Sequence, residues 1–258
     1  HWSTQAYEAQ AVAARSYALA SLKPASTFDL YADSRSQVYG GIRVETRFTN
    51  AAVNATAGQA LTYAGRVIVA YYDSTSGGRT APVQAVFTNL APEPYLVSVS
   101  DPYDSISPYH SWRVVVSAQT LEQHFQLPID DVRVHLVDGV ANQVELVSGG
   151  SKRTLPARTF QQALGLRSIR FSVSVAELDA TAQTARRGSP LVLTGFVRDF
   201  SDVTVEEQTA THGWALVRRV HTRPNGRFTV AVRPWSNSSY RLVADGEAGP
   251  PITVDVRR

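Results

Sequence analysis

Cysteine and methionine are both absent from the 258 residues of this sequence. The lack of cysteine excludes disulfide bonds, cysteine-ligated zinc and thiol catalysis. No run of about 18 apolar residues is present, so we expect no membrane span, and any signal peptide is expected upstream of His1. Charged residues make up only 18% of the chain, and the formal net charge is +3. This weak basicity lacks the dense Lys/Arg patch of nucleic-acid-binding proteins, so we expect no nucleic-acid partner.

The hydrophobic fraction of 43% is enough for two domains that each have a core. Small and apolar residues recur at three- and four-residue spacing between Ala9 and Ala20, which predicts one long helix over residues 3–21. From Tyr31 the pattern changes to short β-rich runs, such as residues 65–72, separated by turn-forming residues. We therefore predict an α+β first domain, a sheet-rich body with one long N-terminal helix.

The next part of the chain predicts short elements. Helical patterns cover residues 121–125 and 157–163, and a hairpin is expected from residues 131–137 and 143–147 with its turn at Asp138-Gly139. Residues 168–175 are predicted to form the last strand of the first domain. Residues 1–176 then make up that domain.

Beyond residue 190, runs typical of β-strands follow one another at close spacing. They lie at residues 191–198, 203–209, 214–220, 227–232, 240–244 and 252–256. Asn225-Gly226 is a strong signal for a turn between two of them. This pattern predicts an all-β immunoglobulin-like sandwich domain over residues 190–258. The polar segment 177–189 is predicted to be the linker between the two domains.

A series of short motifs occurs in a fixed order along the first domain. Residues 9–19 read AQAVAARSYAL. The further blocks are QVYGG at 37–41, AVNATAGQALTY at 52–63, STSGGRT at 74–80, PYL at 94–96, DPYD at 101–104, Trp112 and LGLRS at 164–168. Together they resemble the stage II sporulation protein D (SpoIID)/LytB family over residues 2–175. The predicted sandwich lies outside this resemblance.

The resemblance implies peptidoglycan glycan strands as the ligand and a place outside the cytoplasmic membrane, secreted or on the cell envelope. The family includes an enzyme that cleaves glycan strands, so the leading hypothesis is lytic transglycosylase cleavage of the MurNAc–GlcNAc bond by the intact protein. The family also includes a regulator of a wall amidase. The alternative is therefore a non-catalytic wall-binding modifier, whose partner is an N-acetylmuramoyl amidase.

A lytic transglycosylase needs one carboxyl group that protonates the glycosidic oxygen and then removes the proton of the muramoyl C6 hydroxyl. The resemblance places one family Glu shortly before Trp2, upstream of His1, and a second at the position of Gln5, which cannot act as a Brønsted acid. Three interpretations stay open. The catalytic Glu lies upstream of His1, the loss of Glu at Gln5 leaves a binding protein, or Glu8 replaces the acid.

Other residues in the matched blocks are expected to contact the substrate. They are Gln10, Arg15, Gln37, Tyr39, Tyr72, Ser74, Ser76, Gly77 and Gly78. For Arg15 the competing interpretation is a brace that ties down a neighbouring loop carbonyl. The loop with Ser74 and Ser76 lacks the G-x-S-x-G elbow of serine hydrolases, so we expect it to approach a sugar rather than to act as a nucleophile.

The histidines show no close ligand spacing, so we predict no metal and no cofactor. Asp101 and Asp104 flank Pro102-Tyr103, where such residues most often cap a turn.

Overall fold

The structure is a computed structural model that describes residues 2–23, 26–87 and 89–257. The chain is a mixed α/β protein, rich in sheet, with a few helices. It divides into two compact units, which we call the N-terminal unit (residues 1–112) and the C-terminal unit (residues 113–258). Among the helices of the described residues, none combines the length and apolar character needed to cross a membrane.

The N-terminal unit begins with helix α1 (Thr4–Ala20), as the periodicity predicts. Alanine, the best helix former, dominates it, and the Ser3 hydroxyl caps it by accepting a hydrogen bond from the Ala6 amide at 3.2 Å. Ser16 on this helix is fully buried. Its hydroxyl donates to the Val12 carbonyl at 2.7 Å and accepts from the Leu61 amide at 2.8 Å, so it fixes the chain at residue 61 against α1.

The rest of the N-terminal unit contains less sheet than the sequence predicts. Helix α2 (Arg47–Ala55), which sequence reasoning missed, starts with a capping box between Thr46 and Thr49. Strands β1 (Thr62–Tyr63) and β2 (Arg66–Val67) form a minimal hairpin, and helix α3 (Val83–Val86) follows.

The predicted strand over residues 65–72 is wrong beyond Val67. The turn between β1 and β2 is tight, because Ala64 and Gly65 both have positive φ angles of 48° and 76°. After the hairpin, the Ile68 amide bonds to the Leu61 carbonyl at 3.1 Å. The described residues that follow, up to Tyr72, are not paired as a strand.

The first half of the C-terminal unit is an antiparallel meander flanked by helices. Helix α4 (Ala118–Phe125) precedes strands β3 (Asp131–Val137), β4 (Val140–Ser148) and β5 (Ser151–Pro156), and helix α5 (Ala157–Ala163) follows them. The predicted hairpin turn is confirmed, with φ angles of 52° at Asp138 and 74° at Gly139. The rings of Phe125 and Phe160 stack at 5.4 Å between the two helices.

The remaining strands form two sheets. They are β6 (Val175–Ala180), β7 (Thr184–Arg186), β8 (Leu191–Arg198), β9 (Val203–Thr209), β10 (Ala215–Arg219), β11 (Arg227–Val232), β12 (Ser238–Ala244), β13 (Glu247–Ala248) and β14 (Ile252–Arg257). One sheet has the order β11-β8-β6, and the other has the order β10-β9-β12-β14-β7 with β13 beside β12. Only β14 and β7 run parallel among these described strands.

Residues from both sheets bury into one hydrophobic core. Leu193 and Val230 come from the first sheet, and Val205, Tyr240 and Val254 come from the second. Side chains alternate between buried and exposed along β11, as expected for strands with one face on a core. The strands predicted beyond residue 190 are therefore observed. Their classification as an immunoglobulin-like sandwich stays a prediction.

Two predictions concern the chain around residue 177. The segment 177–189, predicted to be the linker, contains most of β6, which pairs with β8, and all of β7, which pairs with β14. The strand predicted for residues 168–175 is wrong, since strand pairing begins only at Val175. The domain boundaries at residues 176 and 190 stay predictions.

Arg198 at the end of β8 ties the two-sheet part of the C-terminal unit to the meander. Its Nη2 donates to a carboxylate oxygen of Asp131 at 3.0 Å and to the Val132 carbonyl, and its Nη1 donates to the Val173 carbonyl at 3.3 Å. The Asp131 side chain is only 7% exposed. Burial tends to raise the pKa of Asp131, but hydrogen bonds from Arg133 and Arg198 outweigh it and hold the pKa below its usual value.

We predict that Arg198→Met lowers the free energy of unfolding by about 2–3 kcal/mol, because Asp131 stays buried with one charged partner fewer. Urea denaturation of the chain measures this change. Arg219→Met is the matched control, because its ion pair with Asp202 is exposed at both side chains (67% and 54%) and its loss is expected to cost less than about 0.5 kcal/mol. Equal effects of the two substitutions would contradict the role of Arg198.

Candidate functional site

An open groove of about 450 Å³ lies between α1, α2 and the chain that follows α2. Its lining residues come from positions 5 to 61: Gln5, Glu8, Ala9, Val12, Ala55, Thr56, Gln59 and Leu61. Gln5 and Glu8 are three residues apart on α1, about 60° around the helix, and both line the groove. Gln5 is exposed and Glu8 is half-buried. The structure thus brings together the two residues predicted around the missing acid, and their roles stay predictions.

Arg15 on α1 is hydrogen-bonded to main-chain groups of two residues that line this groove, Thr56 and Gln59. Its guanidinium donates to the main-chain carbonyls of Val53, Thr56 and Gln59 at 3.2, 2.8 and 2.9 Å. These carbonyls lie in and just beyond the last turn of α2, where the helix carries the negative end of its dipole. The Thr56 carbonyl also accepts from the Gln59 amide at 3.1 Å. These contacts are the ones that the brace interpretation expects. The substrate contact of Arg15 stays a prediction.

Gln37 connects α1 to Tyr72. The Gln37 amide nitrogen donates to the Ala14 carbonyl at 3.0 Å, and the Tyr72 hydroxyl donates to the Gln37 side-chain oxygen at 2.8 Å. Partial burial raises the pKa of Tyr72, so its hydroxyl keeps its proton at neutral pH. Gln37 and Tyr72, which are separated by 35 residues in sequence, thus form one polar link to the helix.

Two further predicted contacts lie elsewhere. Gln10 is exposed and lies about 140° around α1 from Gln5, on the side away from the groove. The Tyr39 hydroxyl donates to a Glu45 carboxylate oxygen at 2.7 Å, and this hydrogen bond raises the pKa of Tyr39. Neither residue lines the groove, among the residues that the structure describes.

The loop predicted to approach a sugar is organised by a buried carboxylate. Asp104 accepts hydrogen bonds from the Ser76 amide at 2.7 Å and from the Gly78 amide at 3.1 Å. Gly77 and Gly78 have φ angles of 71° and 89°, which favour glycine. The Ser76 hydroxyl donates to Asp101 at 2.9 Å, and Ser74, Ser76, Gly77 and Gly78 lie outside the described lining of the groove.

His110 completes this arrangement, and sequence reasoning missed it. Its Nδ1 lies 2.6 Å from a carboxylate oxygen of Asp104. Burial tends to raise the pKa of Asp104, but hydrogen bonds from His110 and from the Ser76 amide outweigh it and lower the pKa. The sequence shows only that an Asp and a His lie six residues apart in the DPYDSISPYH run, and this spacing does not by itself predict their contact.

The residues that line the groove lie within a segment that matches a known protein family. Residues 1–63 match the SpoIID family, described as stage II sporulation protein. The N-terminal segment belongs to the SpoIID family. This SpoIID segment contains α1, α2 and every lining residue of the groove. The loop with Ser76 and the whole C-terminal unit lie beyond it.

Curated relatives support the same family. The amidase enhancer of Bacillus subtilis (strain 168) is 36% identical over 122 residues, which are 47% of this chain and 16% of that protein. Stage II sporulation protein D of the same strain is 31% identical over 122 residues, which are 46% of this chain and 35% of that protein. The matches thus span about a third or less of the length of these SpoIID-family relatives.

Solved structures add no argument about function. The Escherichia coli adhesin FdeC covers 45% of this chain and 41% of its own at 12% identity, with a TM-score of 0.29. Within the described residues, no group of three or more His, Asp or Glu side chains is placed to hold a metal ion. The expectations of no metal and no cofactor stay predictions.

We predict that Arg15→Met destabilises the N-terminal unit by about 2 kcal/mol, because three carbonyl groups lose a charged donor. Thermal and urea unfolding measure the loss. Arg43→Met, at an exposed position, is the matched control and should change little. A variant at Arg15 that is as stable as this control would show that the brace is dispensable.

We also predict that Asp104→Asn lowers the unfolding temperature at pH 7, since an amide cannot accept from all the donors that face Asp104. The pKa of Asp104 in the folded state is lowered from its ordinary value of 3.8. Its stabilising contribution is therefore fully present above about pH 4 and is lost as the pH falls through the lower folded-state pKa. The difference in unfolding temperature between wild type and Asp104→Asn should therefore become smaller in acid than at pH 7. The exposed control Asp255→Asn should unfold at the wild-type temperature at both pH values. A difference in unfolding temperature that is larger in acid than at pH 7 would contradict this prediction.

Proposed function

We propose that this chain binds peptidoglycan glycan strands outside the cytoplasmic membrane, and that the intact protein cleaves the MurNAc–GlcNAc bond as a lytic transglycosylase. The observation that carries the proposal is the SpoIID match over residues 1–63, which include every residue that lines the α1–α2 groove. A cell-wall function is also consistent with the names of the two Bacillus subtilis relatives.

The groove offers chemistry suited to a sugar chain. Gln5, Thr56 and Gln59 supply amide and hydroxyl groups that can exchange hydrogen bonds with sugar hydroxyls, and Ala9, Val12 and Leu61 supply apolar surface. An open groove suits a polymer better than a closed pocket does, because the strand must extend beyond the site on both sides. The Arg15 brace keeps the α2 side of the groove in place.

The proposal also assigns the catalytic acid. Glu8 is the carboxylate in the groove. Asp104 is unsuited to protonate a glycosidic oxygen, since its lowered pKa keeps it ionised at neutral pH. We propose that the acid is the family Glu expected upstream of His1, and that Glu8 contacts the strand beside it.

The second candidate function is a non-catalytic modifier that stimulates or recruits a wall amidase. Two observations favour it: the 36% identical relative is an amidase enhancer, and Gln5 stands where the resemblance expects a Glu. In this case the groove would bind glycan without cleaving it, and an amidase would be the partner.

The direct test incubates denuded glycan strands with the full-length gene product, with this 258-residue chain and with Glu8→Gln in the full-length protein. Mass spectrometry then detects 1,6-anhydromuramoyl products. We expect products from the full-length protein and from its Glu8→Gln variant, and binding without products from the 258-residue chain. Glu122→Gln, at an exposed position on α4, is the control for the substitution itself.

Products from the 258-residue chain that disappear in Glu8→Gln would assign the acid to Glu8 instead. Strand binding without products from any form would contradict the transglycosylase proposal and favour the modifier. Stimulation of a purified wall amidase by the chain would then support the amidase-modifier function.

A further inference from the structure

Asp104 and His110 form a pair in which a buried carboxylate holds a partly exposed imidazole. The Asp104 side chain is 3% exposed, and the His110 side chain is 39% exposed. Asp104 already holds the Ser76 and Gly78 amides on one side. On the other side it accepts from Nδ1 of His110 at 2.6 Å, so the imidazole is held at one nitrogen and reaches toward solvent.

This contact decides which nitrogen of His110 carries the proton. An ionised carboxylate only accepts hydrogen bonds, so Nδ1 must be the protonated nitrogen. In the neutral imidazole the lone pair is then on Nε2. Within residues 2–23, 26–87 and 89–257, no hydrogen-bond partner of Nε2 is present. His110 therefore presents an oriented acceptor that the described protein leaves open.

The surroundings of His110 suit a sugar. A Cβ atom at Gly78 would lie 3.4 Å from Cε1 of the imidazole, so bare backbone borders the ring. Tyr103 and Tyr109 are on the same segment and are 81% and 49% exposed. Tyrosine rings stack on the apolar faces of sugars, and an oriented polar group can bind a sugar hydroxyl. This segment therefore carries both kinds of group that carbohydrate sites use.

We propose that His110, oriented by Asp104, is a glycan-binding residue whose Nε2 accepts a hydrogen bond from a hydroxyl or acetamido N–H group of the strand. This inference rests on the proposed function and adds a second contact region to it, beyond the SpoIID segment. A purely structural His110 would need only its Nδ1–H group, and that difference makes the two roles separable.

The substitution His110→Asn separates them, because the Asn amide nitrogen can replace Nδ1 as the donor to Asp104 but nothing replaces Nε2. Isothermal titration with denuded glycan fragments measures binding, and calorimetric melting measures stability. We expect an unfolding temperature close to that of the wild type and binding that is about fivefold to tenfold weaker, the effect of one lost hydrogen bond. His221→Asn, at an exposed position of the C-terminal unit, should leave both unchanged.

Wild-type affinity in a folded His110→Asn variant would overturn this inference and leave glycan binding itself intact. No binding by the wild type would instead refute the proposed function together with the inference. If the variant unfolds, ¹⁵N-histidine spectra of the wild type provide the second measurement. The His110 Nε2 resonance should shift when fragments are added, and an unchanged resonance at saturating fragment would overturn the proposal.

Discussion

The candidate groove depends on the contact of Arg15 with the end of α2. Its guanidinium donates to three carbonyl groups in and just beyond the last turn of that helix, and the neighbouring Ser16 hydroxyl fixes the Leu61 amide. Both residues project from α1, so one helix positions the far wall of the groove by hydrogen bonds. The same helix contributes Gln5 and Glu8 to the near wall. The position of the candidate chemistry therefore follows from polar contacts made within the SpoIID segment.

The two units of the chain achieve stability in different ways. In the N-terminal unit the buried side chains include small or polar ones, such as Ala52, Ser16, Thr56 and Asp104, and hydrogen bonds connect its segments. The C-terminal unit buries large aliphatic residues such as Leu193 between two sheets. This contrast leaves the N-terminal unit with polar groups at its surface, where we propose that glycan binds.

The strands of the C-terminal unit could be predicted because their sequence alternates and their turns carry glycine. Helix α1 could be predicted from its alanine-rich periodicity. Helix α2 could not, since its Thr and Asn residues have low intrinsic helix propensity and its start depends on the Thr46 capping box. The run at 65–72 has strand composition, but among the described residues no strand pairs with it beyond Val67. The Asp104–His110 pair could not be predicted, because it is defined by the burial of Asp104 and by one hydrogen bond, and sequence spacing alone reveals neither.

The central claim is that glycan strands occupy the α1–α2 groove, and backbone amide NMR tests it most directly. Spectra of the ¹⁵N-labelled chain are recorded while denuded glycan fragments are added. The claim predicts that the amide resonances of Gln5, Glu8, Thr56 and Gln59 shift and saturate together, while those of the buried strand residues Leu193 and Val205 stay unchanged. Shifts confined to the C-terminal unit, or no shifts at any concentration, would contradict it.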